Sequence, residues 1–501
     1  MDDILLEIFH CYRLDIPWGW DHKWWYKLMH TCRRWRYIIL ESSSSLQLHL
    51  YFTHGKPIEE MLEHSPPLPL FIDYGKTEMS TKDEEGVLLA LQHHHGRVRL
   101  INLREPALQK LVVVMGKPFP MLENLKLISL DPWYCSQLPE TFTAQRLRHL
   151  ALIQVGDVSA PGLPLLASIT GLVTLSLRGI SSPTDLPVNY LVSRLSLMSL
   201  LELLCLEFDS EPFVFRSSSP GNVKNDLAAL QTQMAQLSKL DEFIFGGHCR
   251  YLEGLVSCVR APVLTCLTLS FFTRPSIPLP RLSEFLTAAE ELRYPACSFT
   301  FSGPTEENPG VSIVVAGLEE FSPEDAPFRI RFPCRRIDTQ VACAARVSTA
   351  LAPMLSSVER LHLEYYATRW HKGLPPPIPH EAWFELLRPF SNVQKLQLET
   401  AMIRKLSFAL CPEDGPPAPE GILPKLSKLI RPHHARFEGM LDPFIAARQA
   451  AGQPISKRRC PPTPNSESED HDDPWSWLAS QLADDDEGST ELDSDSDFDF
   501  E

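Results

Sequence analysis

The stretch Leu172-Val173-Thr174-Leu175-Ser176-Leu177 decides how this chain of 501 residues folds. Its last four positions alternate polar and apolar residues, which is the pattern of a β-strand with one buried face. Because successive side chains of a strand point to opposite faces, Leu175 and Leu177 face the same way and Ser176 faces the other. A strand this short is stable only when neighbouring strands and a covering layer bury its leucines.

The same spacing, L-x-x-L-x-L, recurs between residues 98 and 269. Clear copies are Leu122-Leu125-Leu127, Leu147-Leu150-Leu152, Leu172-Leu175-Leu177, Leu201-Leu204-Leu206 and Leu264-Leu267-Leu269, and weaker copies are Val98-Ile101-Leu103 and Leu240-Phe243-Phe245. The middle positions of the first five units are 101, 125, 150, 175 and 204, which gives steps of 24, 25, 25 and 29 residues. This period resembles that of leucine-rich repeats.

The fold class that we expect is therefore α/β, an irregular leucine-rich-repeat solenoid with parallel strands on its concave face. Stacked units pair their strands and build one continuous apolar interior. The step after Leu204 is 39 residues, and the turn-rich run Ser217-Ser218-Ser219-Pro220-Gly221 predicts an insertion there. The units lack the Asn of the usual L-x-x-N pattern, so a non-repeat α/β domain with similarly spaced leucines stays open as an alternative.

The pattern loosens beyond residue 300. Two further units occur at Val358-Leu361-Leu363 and Val393-Leu396-Leu398, strand-like runs occur at 311–315 and 329–332, and a last helix is predicted at 441–451, ended by Gly452. We therefore divide the chain into an N-terminal helical part at 1–45, a repeat array at 46–300, irregular repeats and a cap at 301–456, and an acidic tail at 457–501 that we expect to be disordered.

A ligand surface follows from the alternation within each L-x-L strand. The residues between and beside the leucines are expected to face the concave side, where a target protein would bind. These target-binding candidates are Asn124, Lys126, His149, Thr174, Ser176, Arg178, Glu207, Thr268 and Ser270.

The first forty residues have a different pattern, in which apolar residues recur at helical spacing. In one predicted helix these residues are Ile4, Leu5, Ile8, Phe9 and Tyr12, preceded by two acids, Asp2 and Asp3, that suit a helix N-terminus. In the other they are Trp25, Leu28, Cys32, Trp35 and Ile39, whose steps of 3, 4, 3 and 4 predict one apolar stripe on a single second helix. Two helices this short must pack on each other and on something else.

This N-terminal part resembles an F-box, through Leu5-x-x-Ile8-Phe9 and Leu28-x-x-Thr31-Cys32-Arg33-x-Trp35. The resemblance implies a docking module that binds the Skp adaptor of a cullin-type ubiquitin ligase and does no chemistry. The adaptor-binding residues that it implies are Ile4, Leu5, Ile8, Phe9, Leu28, Cys32 and Trp35. The chain departs from the family in lacking an initial Leu-Pro and in its aromatic loop Pro17-Trp18-Gly19-Trp20. A helical cap on a larger fold is the alternative interpretation.

Two later stretches, 383–393 and 444–452, resemble those of F-box proteins that are abundant in mushroom-forming fungi. This likeness carries no catalytic residues. The likeness touches both ends of the body of the chain and involves general sequence style more than specific functional motifs.

The charge of the chain is concentrated in its tail. The net charge is −16, but residues 465–501 hold 15 acids and no Lys or Arg, which leaves 48 acids against 47 bases in the rest. A nearly neutral body argues against general binding of nucleic acid. Within the tail, Trp475, Leu478 and Leu482 share a helical face among acids, so both a solubilising tail and a segment that folds on a partner are open interpretations.

Other features place the chain inside the cell, in the cytoplasm or nucleus. The 12 cysteines are scattered without a C-x-x-C pair, as expected of reduced thiols. The uncharged stretch 158–177 has a membrane-spanning length but is interrupted by Pro161, Gly162, Pro164 and Gly171, so we interpret it as core rather than as a membrane segment.

Catalytic and cofactor motifs are poor, so we expect no enzyme activity, no cofactor and no metal. Gly75-Lys76-Thr77 lacks the first glycine of a phosphate-binding loop, since position 70 is Leu. His93-His94-His95 has no Cys, Asp or Glu beside it at ligand spacing. Two functions remain. One is a substrate receptor of a Skp–cullin–F-box ligase, and the other is a repeat scaffold whose acidic tail binds basic nuclear proteins without a ligase role.

Overall fold

The computed structural model describes residues 2–14, 24–76, 79–104, 110, 114–129, 141–154, 166, 168–181, 183, 186–209, 234–275, 278–303, 309–317, 326–366, 378, 380–410, 422–431 and 439–459. The aromatic loop 17–20, the predicted insertion at 217–221 and the acidic residues 465–501 lie outside these ranges. The predictions made for them are therefore not examined by the structure.

The strands and helices alternate along most of the chain. The strands are β1 (Leu50–Phe52), β2 (Leu70–Asp73), β3 (Val98–Arg104), β4 (Asn124–Ile128), β5 (His149–Ile153), β6 (Thr174–Ile180), β7 (Leu203–Phe208), β8 (Ala235–Gln236), β9 (Glu242–Gly247), β10 (Val259–Arg260), β11 (Cys266–Phe271), β12 (Ala296–Ser302), β13 (Gly310–Ala316), β14 (Phe328–Pro333), β15 (Arg360–Tyr366), β16 (Lys395–Leu398), β17 (Lys428–Arg431) and β18 (Ser456–Arg459). The α-helices are α1 (Asp2–Leu14), α2 (Trp24–Met29), α3 (Arg33–Glu41), α4 (Ile58–His64), α5 (Thr81–His93), α6 (Val188–Leu195), α7 (Cys249–Val256), α8 (Pro280–Ala288), α9 (Ile337–Ala350), α10 (Ala352–Leu355), α11 (His380–Leu387), α12 (Thr400–Leu410) and α13 (Asp442–Ala450).

Sixteen of the described strands form one sheet, in the order β1-β2-β3-β4-β5-β6-β7-β9-β11-β14-β13-β12-β15-β16-β17-β18. The short strands β8 and β10 pair separately. From β3 to β7 the pairing is parallel, and it places Ile101, Leu125, Leu150, Leu175 and Leu204 directly opposite one another. The predicted repeats are thus confirmed as consecutive strands of a mostly parallel sheet, an arrangement that fits a leucine-rich-repeat solenoid.

Burial of the repeated leucines holds the sheet and the helices together. Leu175 and Leu177 are fully buried, and the leucines of the other units belong to the same hydrophobic core, which runs from Phe9 to Ile455. Complete burial of such a side chain contributes about 1.5–3 kcal/mol. The weaker copies at 98–103 and 240–245 also form strands, β3 and β9, because Ile, Val and Phe fill the same buried positions.

The expectation of uniformly parallel strands is wrong between β12 and β14. Here β13 pairs antiparallel with both neighbours, while β14 joins β11 and β12 joins β15 in parallel. A parallel connection needs a crossover of about a dozen residues or more, whereas only seven residues, 303–309, join β12 to β13. The chain therefore reverses direction at this short connection, and β12, β13 and β14 form an antiparallel meander. Within the repeat sheet these three strands stand in the order β14-β13-β12, between β11 and β15.

The N-terminal helices correct a second expectation. The predicted second helix is two helices, α2 and α3, separated at residues 30–32. Cys32 has an extended backbone, with φ −158° and ψ 166°, and its Sγ accepts a hydrogen bond from the backbone N–H of Trp35 at 3.5 Å. Cys32 thus caps the start of α3 instead of lying on the face of a continuous helix.

Two other expectations from the sequence concern the last helix and membrane-spanning segments. The last helix, predicted at 441–451, is confirmed as α13, and Gly452 follows it with φ +76°, the left-handed conformation typical of a helix end. Within the parts of the chain that the structure describes, none of the helices combines the length and apolarity needed to cross a bilayer.

Candidate functional site

The residues that alternate with the buried leucines form the second face of the sheet, here called the open face. Strand register aligns them into rows that run across neighbouring strands. One row contains Asn124, His149 and Thr174, and the next contains Lys126, Ala151 and Ser176. Such rows give a protein ligand a continuous surface built from successive repeats.

The structure brings the predicted target-binding residues onto this face. His149 Nδ1 lies 3.1 Å from Thr174 Oγ1, and Arg178 forms an ion pair with Glu207 at 3.6 Å. Thr268 and Ser270 lie on β11, and β9 separates them from the strand that carries Glu207. Lys126 and His149 are exposed, the other predicted residues on these strands are partly exposed, and Ser176 is buried.

A polar network that the sequence analysis missed lies at the N-terminal end of the open face. Asn102 donates a hydrogen bond to Asp73 Oδ1 at 2.7 Å, and the Tyr51 hydroxyl donates to the other carboxylate oxygen. The backbone N–H of Gly75 also donates to Asp73, at 3.3 Å. A Cβ at residue 75 would lie only 2.3 Å from the Asn102 side chain, so any larger residue there would displace Asn102 from its present position. Gly75 and Lys76, the two described residues of the Gly-Lys-Thr motif, thus lie in a bend that packs against Asp73 and Asn102.

A second polar cluster lies where the meander meets the later repeats. Ser298 and His362 are opposite one another, with Ser298 Oγ 3.3 Å from His362 Nδ1, and Thr300 Oγ1 donates to Glu364 Oε2 at 3.1 Å. Burial lowers the pKa of His362, and Glu364 opposes that effect. Burial raises the pKa of Glu399 to about 7, and repulsion from the Glu364 carboxylate adds to the increase.

Replacing Glu399 with Gln is expected to stabilise the protein at alkaline pH. The folded-state pKa is raised above the unfolded value of about 4.3, so the folded protein retains a proton that the unfolded chain loses. Stability is therefore lost as pH rises between about 4.3 and 7 and stays reduced above pH 7. Allowing for solvent screening of this partly exposed group, we expect a gain of about 1 kcal/mol in unfolding free energy at pH 8 and less at pH 5, measured by urea denaturation. An equal gain at both pH values would contradict the prediction, and the exposed Glu359, replaced by Gln, is the matched control.

Basic residues dominate the C-terminal end of the open face. Register places Arg360, Lys395 and Lys428 side by side on β15, β16 and β17, and Arg458 lies on the last strand, β18. We call these four residues the basic ladder. Reduced hydration lowers the pKa of Lys428, and so do the positive charges of Arg458, Lys395 and Arg360. This cluster was not predicted from the sequence.

The N-terminal helices α1, α2 and α3 form a second candidate surface, here called the head. Ile4, Ile8 and Tyr12 are spaced four residues apart along α1, so they share one face of the helix. Their side chains are 65%, 51% and 41% exposed, and Tyr37 on α3 is 66% exposed. A contiguous exposed apolar stripe on an otherwise packed helix is typical of a protein-interaction site.

The other predicted adaptor-binding residues have different environments. Phe9 is only 1% exposed and packs edge-on against Trp35, with ring centroids 5.1 Å apart. Phe9 therefore belongs to the core of the head, and we no longer expect its side chain to contact the adaptor. Leu5, Leu28 and Trp35 are partly buried against the same core, and Cys32 is exposed at the start of α3.

The head is fixed to the repeats by direct contacts. Arg13 Nη1 donates a hydrogen bond to the carbonyl of Leu46 at 3.3 Å, and Arg34 Nε donates to Asp2 Oδ1 at 3.0 Å, which ties α3 to α1. Trp25 is buried and belongs to the core that continues into β1 and β2. The exposed stripe therefore has a defined position relative to the open face.

Metal-ligating and thiol side chains were also compared across the described residues. Within the described ranges, no three His, Cys, Asp or Glu side chains are placed to hold a metal ion. The described cysteines form no disulfide bond with one another: Cys11, Cys32, Cys205, Cys249, Cys258, Cys266, Cys297, Cys334 and Cys343.

Comparison with known proteins identifies no family. No protein-family model and no curated protein matches the chain. Among solved structures, the chain is similar to the leucine-rich repeat-containing protein LegL7 from Legionella pneumophila, with 12% sequence identity and a TM-score of 0.26, over 81% of this chain and 99% of that protein. The parallel register of β3 to β7 is therefore the observation that supports a repeat architecture.

Proposed function

We propose that this chain is the substrate-recognition subunit of a Skp–cullin–F-box ubiquitin ligase. The head docks on a Skp-type adaptor, which connects it to a cullin, and the open face binds a target protein. The chain itself does no chemistry and needs no cofactor. The observation that carries this proposal is the exposed stripe of Ile4, Ile8 and Tyr12 on a head that packs on the repeats.

The way the head is attached supports this role. A substrate receptor must hold its target at a fixed place relative to the ubiquitin-transferring subunit, because the reacting groups must be brought into contact. The shared core and the bond from Arg13 to Leu46 favour such a fixed relation. The protein acts, on this proposal, in the cytoplasm or nucleus, without binding nucleic acid or membrane.

The alternative is a repeat scaffold that binds basic nuclear proteins through its acidic tail. The 15 acids of residues 465–501 favour it. It gives no role to the exposed stripe on α1, which a scaffold without an adaptor would not need. Binding of a Skp-type adaptor therefore distinguishes the two proposed functions.

Affinity capture with the full-length chain tests the proposal. A Skp-type adaptor and a cullin are expected among the bound proteins, together with the target, which the chain alone does not identify. Purified adaptor is then titrated up to micromolar concentrations. Failure to bind in this range would overturn the ligase role, whereas recovery of basic nuclear proteins alone would favour the scaffold.

A further inference from the structure

The basic ladder is a compact group of positive charges. Parallel strands lie about 4.8 Å apart, so Arg360, Lys395 and Lys428 fall within about 10 Å of one another across β15 to β17. Arg458 extends the group to the next strand. The four charges repel one another, and this repulsion contributes to the lowered pKa of Lys428.

Three members of the ladder differ from two arginines elsewhere in the repeat sheet in their acidic partners. Arg99 pairs with Glu123 at 3.8 Å and Arg178 with Glu207 at 3.6 Å. Among the residues that the structure describes, Lys395, Lys428 and Arg458 have no acidic group within 4.0 Å. The nearest acids along the strands are Glu359, exposed beside Arg360, and Glu364 and Glu399 at the opposite strand ends. A ligand with several negative charges would relieve this repulsion.

A segment of suitable charge follows the ladder directly in the chain. β18 ends at Arg459, and residues 465–501 carry 15 acids without Lys or Arg. Between them lie only residues 460–464. Five extended residues can span up to about 17 Å, whereas the strand from Ser456 to Arg459 is only about 10 Å long. The connection is therefore long enough for the first acids to return to the ladder on the same molecule.

We propose that the acidic segment 465–501 binds the basic ladder of its own chain and occupies the C-terminal end of the open face. The linkage makes this contact intramolecular, which gives the segment a high effective concentration over competing acidic ligands. The inference goes beyond the proposed function and does not depend on the ligase role.

Zero-length carbodiimide coupling of the purified full-length chain tests the proposal, because it joins lysine amines only to carboxylates in contact. Peptides that link Lys395 or Lys428 to acids of 465–501 are expected. The ion pair between Lys110 and Glu84, at 3.0 Å, serves as the internal standard for a folded chain. Raising the ionic strength from about 0.15 M to about 1 M, which shortens the screening length from about 8 Å to about 3 Å, should remove most of the linked peptides.

The charge-reversal variant Arg458→Glu keeps both lysines available for coupling. It should lower the yield of links from Lys428 to the tail roughly fivefold relative to the standard, which corresponds to the loss of one exposed charge pair. The matched control is Arg331→Glu, an exposed residue of the open face on β14, which should leave the yield unchanged. Equal yields for both variants would overturn the proposal, and so would links spread evenly to Lys126, Lys239 and Lys425.

Mixing labelled and unlabelled protein separates the two possible sources of the acidic segment. In an equimolar mixture of nitrogen-15 and natural-abundance chains, an intramolecular contact gives linked peptides of uniform isotope composition. Mixed composition would show that a second copy supplies the segment and would overturn binding within one chain. Absence of any tail link, while the standard forms, would overturn it as well.

Discussion

Replacing Ile4 and Ile8 together with Asp is expected to weaken binding of a Skp-type adaptor by at least about a hundredfold. A large apolar anchor in the centre of an interface contributes about 2 kcal/mol or more, and two neighbouring anchors do not add fully. Both side chains are more than half exposed, so the head should keep its fold and the melting temperature should change little. Calorimetric titration of the adaptor into the full-length variant measures the loss.

Two further variants distinguish loss of the interface from loss of the fold. Phe9→Ala empties a buried site beside Trp35 and should lower the melting temperature, because such truncations cost about 3–5 kcal/mol. Leu197→Asp changes an exposed apolar residue outside the head and should leave adaptor affinity unchanged. If the Ile4 and Ile8 variant bound the adaptor as tightly as the wild type, the stripe on α1 would not be the docking surface.

The repeat strands could be predicted from sequence because two periods coincide in them. Alternation within a strand fixes which side chains are buried, and recurrence every 24–29 residues shows that successive strands present the same face. The parallel register between Leu150 and Leu175 follows directly. The first strands were missed, although Leu46, Leu48, Leu50 and Phe52 alternate in the same way.

The meander could not be predicted, because alternation specifies faces but not neighbours. The runs at 311–315 and 329–332 were correctly expected to be strands. Their order in the sheet depends on connection lengths and on pairing with β11 and β15, which are distant in sequence. The break between α2 and α3 was missed for a related reason, since the apolar spacing continues through Cys32 while the backbone does not.

The basic ladder can be recognised only when the strand register is known, because its members are distant in sequence. Its members on β15, β16 and β17 are separated by 35 and 33 residues in sequence. A signal was nevertheless present, because each one immediately precedes the first buried leucine of its strand, as in Arg360-Leu361, Lys395-Leu396 and Lys428-Leu429. Reading the same position of every repeat would have aligned these charges before the structure was known.

Replacing Trp383 with Ala is expected to lower the free energy of unfolding by about 3–5 kcal/mol, the usual range for a buried Trp. Trp383, on α11, is fully buried and packs edge-on against Phe301 with ring centroids 6.2 Å apart. Phe301 stacks on Phe299, which contacts Phe390 at 5.8 Å. The tryptophan thus fastens the meander strand β12 to the helical layer, and urea denaturation of the full-length chain measures the loss.

The conservative variant Trp383→Phe shows which property of the side chain matters. The Trp383 Nε1–H group is buried and has no hydrogen-bond acceptor among the described residues, so a phenyl ring loses no hydrogen bond. It removes part of the buried volume and should cost clearly less than Ala, because the cavity left behind is smaller. Equal destabilisation by Phe and Ala would mean that packing against Phe301 is not what holds the meander in the sheet. If Trp383→Ala lowered the free energy of unfolding by less than about 1 kcal/mol, the meander would be held in the repeat sheet mainly by backbone pairing. That pairing is between β12 and β15 and between β14 and β11.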